Sequence, residues 1–299
     1  MIAGNPIAND RSGLRRNEPM SRHTSWRVGG PADLYFEPET LEDLQRFLEE
    51  LEAGIAVYWV GLGSNLLVRD GGIRGAVIAT TGLFNTIERA GEYRVNVGSG
   101  VPCTRLARRA VQWGLGPAEF FAGIPGTVGG ALTMNAGAFG GETWERVRSV
   151  KVLTRAGEVL SRTPDDYVID YRSVNGPDNE WFIEAEFAFE EGYRASMESL
   201  KQMVKERKAS QPIGLPSCGS VFRNPPGDHA GRLIEAAGLK GFRRGGAEVS
   251  PKHANFIINT GAATAADIEA TIEHVRVTVA READVHLVAE VRIIGELPR

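Results

Sequence analysis

The sequence predicts an α+β protein of two or three domains. Segments with the apolar spacing of helices mix with short segments typical of strands, and neither internal repeats nor low-complexity tracts occur. The length of 299 residues exceeds what one hydrophobic core usually organises. The chain also has 36 glycines against 15 prolines, with many glycines in tight clusters. Such clusters indicate places where the backbone bends sharply or approaches another group closely.

Helices are predicted where apolar residues recur at a spacing of three and four. The clearest begins at Thr40, which can cap the helix because Asp43 follows three residues later. A charged helix, Arg194–Lys208, is expected to link two domains. The predicted helices are Thr40–Leu51, Pro102–Gln112, Arg194–Lys208, Arg232–Ala237 and Ala265–Arg281.

Strands are predicted where short apolar or alternating runs lie between turn residues. Arg155-Ala156-Gly157 separates two such runs and indicates a hairpin. The predicted strands are Ile55–Val60, Ala76–Ala79, Tyr93–Val97, Arg148–Leu153, Glu158–Arg162, Trp181–Phe189, Asn255–Ile258 and Leu287–Ile294.

Composition excludes several classes of protein. A net charge of −4 gives no reason to expect a nucleic-acid partner or a polybasic membrane surface. Cys103 and Cys218 match neither a disulfide framework nor a metal motif, and the five histidines lack ligand spacing. Residues 1–20 lack the apolar core of a signal peptide, and no apolar run has the length of a membrane span. We therefore expect a cytoplasmic protein without a metal.

Three glycine clusters stand in the first half of the chain: residues 27–33, 61–67 and 123–130, the last continuing through 134–140. The second follows a predicted strand directly, and its Gly61-Leu62-Gly63-Ser64-Asn65 run can direct successive N–H groups at one anion. The spacing is neither a Rossmann fingerprint nor a P-loop. Each cluster alone is explained more readily as a set of turns, because glycine is the usual turn residue. Three together favour a cofactor that carries a diphosphate.

The second half contains four polar groups of interest. Arg172 stands in a Tyr-Arg-Ser run, which alone suits a surface ion pair. Ser220 stands in a Gly-Ser-Val-Phe-Arg-Asn-Pro run, which alone suits a rigid turn. His253 opens a predicted strand, where a histidine is usually structural. Glu290 and Arg292 would share one face of the last strand, as a site or as an exposed pair on an edge.

Together these motifs resemble the UDP-N-acetylenolpyruvoylglucosamine reductases, from about Asn17 to Arg292. The family's catalytic residues match Arg172, Ser220 and Glu290. The resemblance assigns substrate contacts to Tyr171, Arg223, Asn224, Arg232 and His253. It assigns FAD contacts to Gly29, Gly30, Gly61, Gly63, Ser64, Asn65, Leu66, Gly123, Pro125, Gly126, Thr127, Gly129, Gly130, Asn135, Gly137 and Ala138.

The resemblance implies three α+β domains. Residues 1–82 and 83–192 would form a two-part FAD-binding region similar to the vanillyl-alcohol-oxidase-like flavoproteins. Residues 193–286 would bind the UDP-sugar, and the strand within 287–299 would return to the first domain. Arg223 replaces the family's usual lysine, and Ala289 a frequent proline. The short stretch between Asn224 and Glu290 is similar to the second subclass, which lacks an insertion with a substrate-capping tyrosine.

The implied reaction uses noncovalent FAD and NADPH to reduce the enolpyruvyl ether of UDP-N-acetylglucosamine, a step in peptidoglycan precursor synthesis. Arg172 and a protonated Glu290 would stabilise the enolate, and Ser220 would give a proton to carbon. The expected form is a monomer. The alternatives are a related FAD oxidase of an alcohol or sugar, and a non-catalytic nucleotide-binding module.

Overall fold

The computed structural model describes residues 11–298. Of the N-terminal segment predicted to lack a signal-peptide core, residues 1–10 lie outside the described residues. The described chain has four hydrophobic cores, three of which combine helix and strand, so the predicted α+β class is confirmed. None of its helices is long and apolar enough to cross a membrane.

The first unit is a four-stranded sheet in the order β1-β2-β5-β3 with one helix packed against it. Helix α1 buries Leu44, Phe47 and Leu48 against the sheet, and the Thr40 hydroxyl caps it by accepting from Asp43 N at 3.1 Å. Strands β2 and β3 both run parallel to β5. The elements are β1 (Leu14–Pro19), β2 (Pro31–Phe36), α1 (Leu41–Glu50), β3 (Val57–Val60), β4 (Leu66–Val68) and β5 (Ile73–Ala79).

The second unit is a five-stranded sheet in the order β11-β10-β14-β7-β6, covered by helices α2, α3 and α4. A separate hairpin, β12–β13, has Tyr171 and Arg172 as its two-residue turn. The elements are β6 (Ile87–Arg89), β7 (Arg94–Gly98), α2 (Cys103–Gln112), α3 (Val128–Met134), β8 (Gly137–Ala138), β9 (Gly141–Glu142), β10 (Val147–Thr154), β11 (Val159–Arg162), β12 (Val168–Asp170), β13 (Ser173–Asn175), β14 (Glu180–Ala188) and α4 (Met197–Ser210).

The third unit packs two helices on a three-stranded sheet of order β15-β16-β17. Its last strand, β18, lies outside this sheet and pairs in parallel with β4 of the first unit. The elements are α5 (Ala230–Ala236), β15 (Arg243–Arg244), β16 (Ala247–Val249), β17 (Ile257–Asn259), α6 (Ala265–Ala283) and β18 (Arg292–Ile294). Four short 3-10 helices complete the described chain: Met20–Arg22, Glu119–Gly123, Thr143–Arg146 and Pro164–Asp166.

Direct contacts fasten the third unit to the first. Trp26 is fully buried in the third core, where its Nε1 donates to Ile257 O at 2.7 Å. Asp70 accepts from the first two N–H groups of α6, those of Ala265 at 3.0 Å and Ala266 at 2.9 Å. This carboxylate satisfies donors that a helix start leaves unpaired. The two units are therefore joined by these side-chain contacts as well as by the pairing of β18 with β4.

Several predicted elements differ from those observed. The strand predicted at Leu287–Ile294 is wrong in its first part, because only Arg292–Ile294 is a strand. The preceding residues bend to pair with the segment after Ser220. The run at 123–130 was treated as loop, yet Val128–Met134 is helical because Thr127 caps it and Val128, Ala131 and Leu132 are buried. Helix α4 buries Leu200 in the second core, although the predicted boundary at 193 assigns it to the third domain.

Candidate active site

A large cleft, about 1130 Å³ in volume, lies where the three units meet. The loop after β3 lines one wall, and the loop leading into α3 lines another. The β12–β13 turn, the Ser220 segment and the segment before β18 close the remaining side. The cleft thus brings Arg172, Ser220 and Glu290 together with two of the three glycine clusters.

The two glycine loops approach each other closely at the cleft. A Cβ on Gly61 would lie 2.5 Å from Thr127 Oγ1, and one on Gly126 would lie 3.1 Å from Ser64 Oγ. Gly63 has a φ of 61°, and a side chain there would overlap the backbone oxygen of His23. A residue with a side chain would therefore push these loops apart or strain them.

The same loops present backbone donors without protein partners. The N–H groups of Leu62, Gly63, Ser64, Gly126 and Thr127 donate to no atom of residues 11–298. Unpaired amides grouped at a cleft bind anionic oxygens well. This arrangement fits the diphosphate of FAD.

Most residues predicted to contact FAD line the cleft. They are Gly61, Gly63, Ser64, Asn65, Leu66, Gly123, Pro125, Gly126, Thr127, Gly129, Gly130, Gly137 and Ala138. Asn65 has a further role, because its Nδ2 donates to Glu290 O at 2.9 Å. The FAD loop is therefore bonded directly to the segment that carries the predicted catalytic glutamate.

Three predicted FAD contacts are not among the lining residues: Gly29, Gly30 and Asn135. A Cβ on Gly29 would lie 2.9 Å from Val68 Cβ, and one on Gly30 would overlap the carbonyl oxygen of Asp70. These two glycines allow backbone segments to pack closely, so their placement gives no support to a contact with FAD. Asn135 ends α3 in the left-handed conformation, with its side chain bonded inside the protein.

Arg172 projects from the β12–β13 turn with a φ of 55°, an unfavourable backbone conformation for a residue other than glycine. Its Nη1 donates to Glu142 Oε1 at 3.1 Å, and its Nη2 to Gly137 O at 2.9 Å. The Arg172 Nε lies 3.5 Å from Glu290 Oε1. The guanidinium group is therefore anchored at one end and faces the glutamate with the other.

Backbone pairing between two distant segments brings Ser220 near Glu290. Glu290 N donates to Val221 O at 2.7 Å, and Phe222 and Ala289 form an isolated bridge. Buried Asn255 fixes the serine segment from behind, because its side chain bonds both the N–H and the carbonyl of Phe222. The serine and the glutamate therefore occupy the cleft on paired backbone segments.

Burial dominates the electrostatics of Glu290. It raises the pKa of this carboxyl above the ordinary 4.5, against the opposing charges of Arg172 and Arg223. A raised pKa favours the protonated acid, which is the form that can donate a hydrogen bond to a developing oxyanion.

The predicted substrate residues divide into two groups. Tyr171 and Asn224 line the cleft. Arg223 is not in the lining, but its positive charge opposes the rise in the pKa of Glu290. Arg232 lies outside the cleft lining, paired with Asp228 on an exposed face of α5. His253 also lies outside, where its Nδ1 accepts from Asn255 N at 3.3 Å. The structure therefore does not bring Arg232 and His253 to the site.

Two charged residues, one in the cleft lining and one beside it, were not among the residues predicted from the sequence. Arg207 of α4 lines the cleft, and burial lowers its pKa. A Cβ on Gly123 would lie only 2.9 Å from Arg207 Nη1. Arg207 stands in a charged helix among solvated neighbours, so the spacing of residues in the sequence did not indicate that it would lie at the cleft. Glu142 contacts Arg172, and its place beside the third glycine cluster was the only available sign.

The comparisons with known proteins agree with this architecture. Residues 211–294 match the model of the UDP-N-acetylenolpyruvoylglucosamine reductase C-terminal domain, and residues 32–162 match that of an FAD binding domain. The UDP-N-acetylenolpyruvoylglucosamine reductase of Alkalilimnicola ehrlichii is 58% identical over 284 residues, 95% of each chain. That of Methylococcus capsulatus is 52% identical over 295 residues, 98% of this chain and 97% of its own. The chain belongs to the UDP-N-acetylenolpyruvoylglucosamine reductase family.

A solved structure agrees with this assignment. The UDP-N-acetylenolpyruvylglucosamine reductase from Thermus caldophilus superposes with a TM-score of 0.79 at 32% identity, covering 94% of this chain and 99% of that one. The predicted resemblance and the predicted FAD-binding region are thereby confirmed. Membership of this reductase family disfavours the alternatives of a related FAD oxidase of an alcohol or sugar and of a non-catalytic nucleotide-binding module.

The raised pKa of Glu290 predicts that the stability of the folded protein depends on pH. Since folding raises its pKa, its protonated form contributes stability that is fully present below the unfolded value of 4.5 and is lost as pH rises through the folded value. Glu290→Gln cannot ionise, so the variant should gain stability relative to the parent as pH rises through that window. Urea unfolding of flavin-free protein at a series of pH values measures this difference.

Glu184→Gln is the matched control for that series. Glu184 lies on β14 and pairs with Lys151 at 2.9 Å, with 28% of its side chain exposed. A Glu290→Gln series that ran parallel to the parent at every pH would show that folding does not shift the pKa of this carboxyl, which would contradict the prediction.

Proposed function

We propose that this chain uses NADPH and bound FAD to reduce the enolpyruvyl ether of UDP-N-acetylglucosamine, giving UDP-N-acetylmuramate for peptidoglycan synthesis. The observation that carries this proposal is the convergence of Arg172, Ser220 and Glu290 at one cleft, with Arg172 Nε 3.5 Å from Glu290 Oε1. Family membership and the FAD-binding domain support the same reaction. The monomeric state and cytoplasmic location stay predictions.

The cofactor would be held by the two glycine loops, whose unpaired N–H groups suit its diphosphate. When bound, FAD supplies the hydride that NADPH provides. The protein supplies position and electrostatics. Tyr171, Asn224 and Arg207 line the cleft and would bind the polar and anionic parts of the nucleotide sugar.

The reaction adds a hydride to the terminal vinyl carbon and a proton to the carbon that bears the ether oxygen. The carbon–carbon double bond becomes single, and negative charge develops on the adjacent carboxylate as an enolate. Arg172 and protonated Glu290 stabilise that charge, since preorganised donors act most strongly where charge develops. Ser220 then gives its hydroxyl proton to carbon and regains one from solvent.

Sugar-dependent oxidation of NADPH is the direct test of the proposed function. The purified protein with FAD should oxidise NADPH only when the enolpyruvyl sugar is present, and mass spectrometry should find a product heavier by two hydrogens. Equal NADPH oxidation without the sugar, or with an unrelated alcohol, would contradict the proposal.

FAD should be bound without a covalent link. Cys218 is the one thiol among the lining residues, and burial raises its pKa to about 12, so the reactive thiolate is scarce. No histidine lines the cleft within residues 11–298. Acid or heat should therefore release all yellow colour into the supernatant, as absorbance after precipitation measures. Flavin that remained with the precipitated chain would contradict the prediction.

NADPH and the nucleotide sugar should use the same cleft in turn. The large cavity at the junction of the three units contains both the proposed FAD loops and the three reacting residues. Initial-rate plots should therefore give parallel lines, with inhibition by high concentrations of the sugar. Intersecting lines would show that both ligands bind together and would exclude a shared cleft.

A further inference from the structure

Arg172 is held in place by groups that the proposed reaction does not itself consume. Its Nη1 donates to Glu142 Oε1 at 3.1 Å and to Asn135 O at 3.2 Å. Its Nη2 donates to Gly137 O at 2.9 Å. These acceptors leave the Nε to face Glu290. They fix a side chain whose own backbone, with a φ of 55°, is in an unfavourable conformation.

The two oxygens of Glu142 have different donors. Oε1 accepts from Arg172, and Oε2 accepts from Asn135 Nδ2 at 2.8 Å. The orientation of the Asn135 amide is fixed in turn, because its Oδ1 accepts from Trp144 N at 3.1 Å. An amide at position 142 would turn its own donor toward one of these donors. Only a carboxylate satisfies both.

The position of the Glu142 carboxylate is set by a short ladder. Glu142 pairs with Gly137 across β8 and β9. A Cβ on Gly137 would lie 3.1 Å from Arg172 Nη1 and 3.2 Å from Glu142 Cγ. The guanidinium group, the carboxylate and this strand are therefore in close contact, and a small shift of one moves the others.

We infer that Glu142 is a positioning residue, which together with Asn135 fixes the plane of the Arg172 guanidinium and offsets part of its charge. Glu142 acts through Arg172, since its carboxylate contacts that guanidinium and forms no hydrogen bond or ion pair with Glu290 among residues 11–298. The inference rests on the proposed reductase function for its kinetic consequences. Its electrostatic consequence can be measured without turnover.

The electrostatic consequence concerns Glu290. The charged groups that act on it are Arg172, from the β12–β13 turn, and Arg223, from the segment after Ser220. Arg292, two residues further along the chain at the start of β18, also lines the cleft. Neutralising Glu142 leaves more of the Arg172 charge to act on Glu290. The Glu290 carboxyl then loses its proton at lower pH. Since the protonated form is proposed to stabilise the enolate, turnover should fall as Glu290 ionises, and this fall should begin at lower pH in the variant.

Glu142→Gln in the FAD-loaded protein tests the inference. We expect kcat to fall by on the order of 100-fold through misplacement of the guanidinium, with KM close to the parent value. The pH at which kcat falls on the alkaline side of its pH profile should decrease. Glu184→Gln is the matched control, because it removes a carboxylate at 28% side-chain exposure, against 29% for Glu142, from an ion pair outside the cleft. It should leave both quantities unchanged.

A second variant and a second measurement distinguish the effect of the Glu142 charge from the effect of its side-chain length. Glu142→Asp keeps the charge on a shorter arm, so it should lower kcat while leaving the alkaline limb near its parent position. NMR titration of ¹³C-labelled glutamate, with Glu290 assigned through Glu290→Gln, should show its pKa lowered in Glu142→Gln and little changed in Glu142→Asp.

Two results would overturn the inference. One is a Glu142→Gln protein with parent kcat and an unmoved Glu290 titration. The other is a loss that affects NADPH-dependent flavin reduction and sugar-dependent reoxidation alike with no change in the titration, which indicates a purely structural role. If the parent itself fails to reduce the sugar, the proposed function fails, whereas the titration still decides the role of Glu142.

Discussion

Ser220→Ala is expected to leave reduction of the flavin by NADPH near its parent rate and to slow reoxidation by the enolpyruvyl sugar by about 100- to 10,000-fold. Only the second half of the reaction delivers a proton to carbon, so only that half needs an acid. Sugar affinity should change little, because one hydroxyl contributes about 1 kcal/mol of net hydrogen bonding. Stopped-flow absorbance of the flavin measures each half separately.

Two further variants serve as comparisons for Ser220→Ala. Ser220→Cys should retain more activity than Ser220→Ala, because a thiol is the stronger acid. Ser217→Ala removes a hydroxyl from the same segment, where Ser217 Oγ donates to Leu215 O at 3.4 Å, and should leave both halves unchanged. Reoxidation at the parent rate in Ser220→Ala would exclude this serine as the acid.

Arg172→Lys is expected to lower kcat by about 100- to 1,000-fold, the range seen when one preorganised donor to a developing oxyanion is removed. The Arg172 guanidinium bonds Glu142 and Gly137 while a separate nitrogen faces Glu290. A lysine ammonium is a point charge without this planar fork, so it cannot reach all three. Steady-state kinetics with the nucleotide sugar varied measures the change.

Arg223→Lys is the control for Arg172→Lys. It makes the same substitution at the other arginine whose charge acts on Glu290, at a position where the family resemblance leads us to expect lysine. Its kcat should stay near the parent value. An Arg172→Lys protein in which only KM changed would demote Arg172 to substrate binding.

The sequence predicted which candidate catalytic residues come together better than it predicted their surroundings. Arg172, Ser220 and Glu290 stand in motifs whose order is specific, and all three line the cleft. Their mutual placement depends on backbone bonds such as Glu290 N to Val221 O, which no local pattern encodes. The same pairing bends the chain before β18 and explains why the strand predicted from Leu287 begins only at Arg292.

Glycine patterns were informative only in part. Gly61 and Gly126 approach the facing loop across the cleft, whereas Gly29 and Gly30 approach β4 and the turn after it. Both situations require glycine, so the sequence cannot distinguish a ligand loop from close backbone packing. Arg232 illustrates the corresponding problem for charges, since it pairs with Asp228 on the surface. Glu142 was missed because its partner Arg172 is distant in sequence and close only through the β12–β13 turn.

The most direct measurement of the central claim is an anaerobic two-step titration of the FAD-loaded protein. NADPH is added until the flavin absorbance is bleached, excess nucleotide is removed, and the enolpyruvyl sugar is then added in known amount. The flavin absorbance should return when the sugar is added, and one UDP-N-acetylmuramate should form per flavin reoxidised. Flavin that stays bleached after the sugar is added, or that recovers without that product, would contradict the central claim.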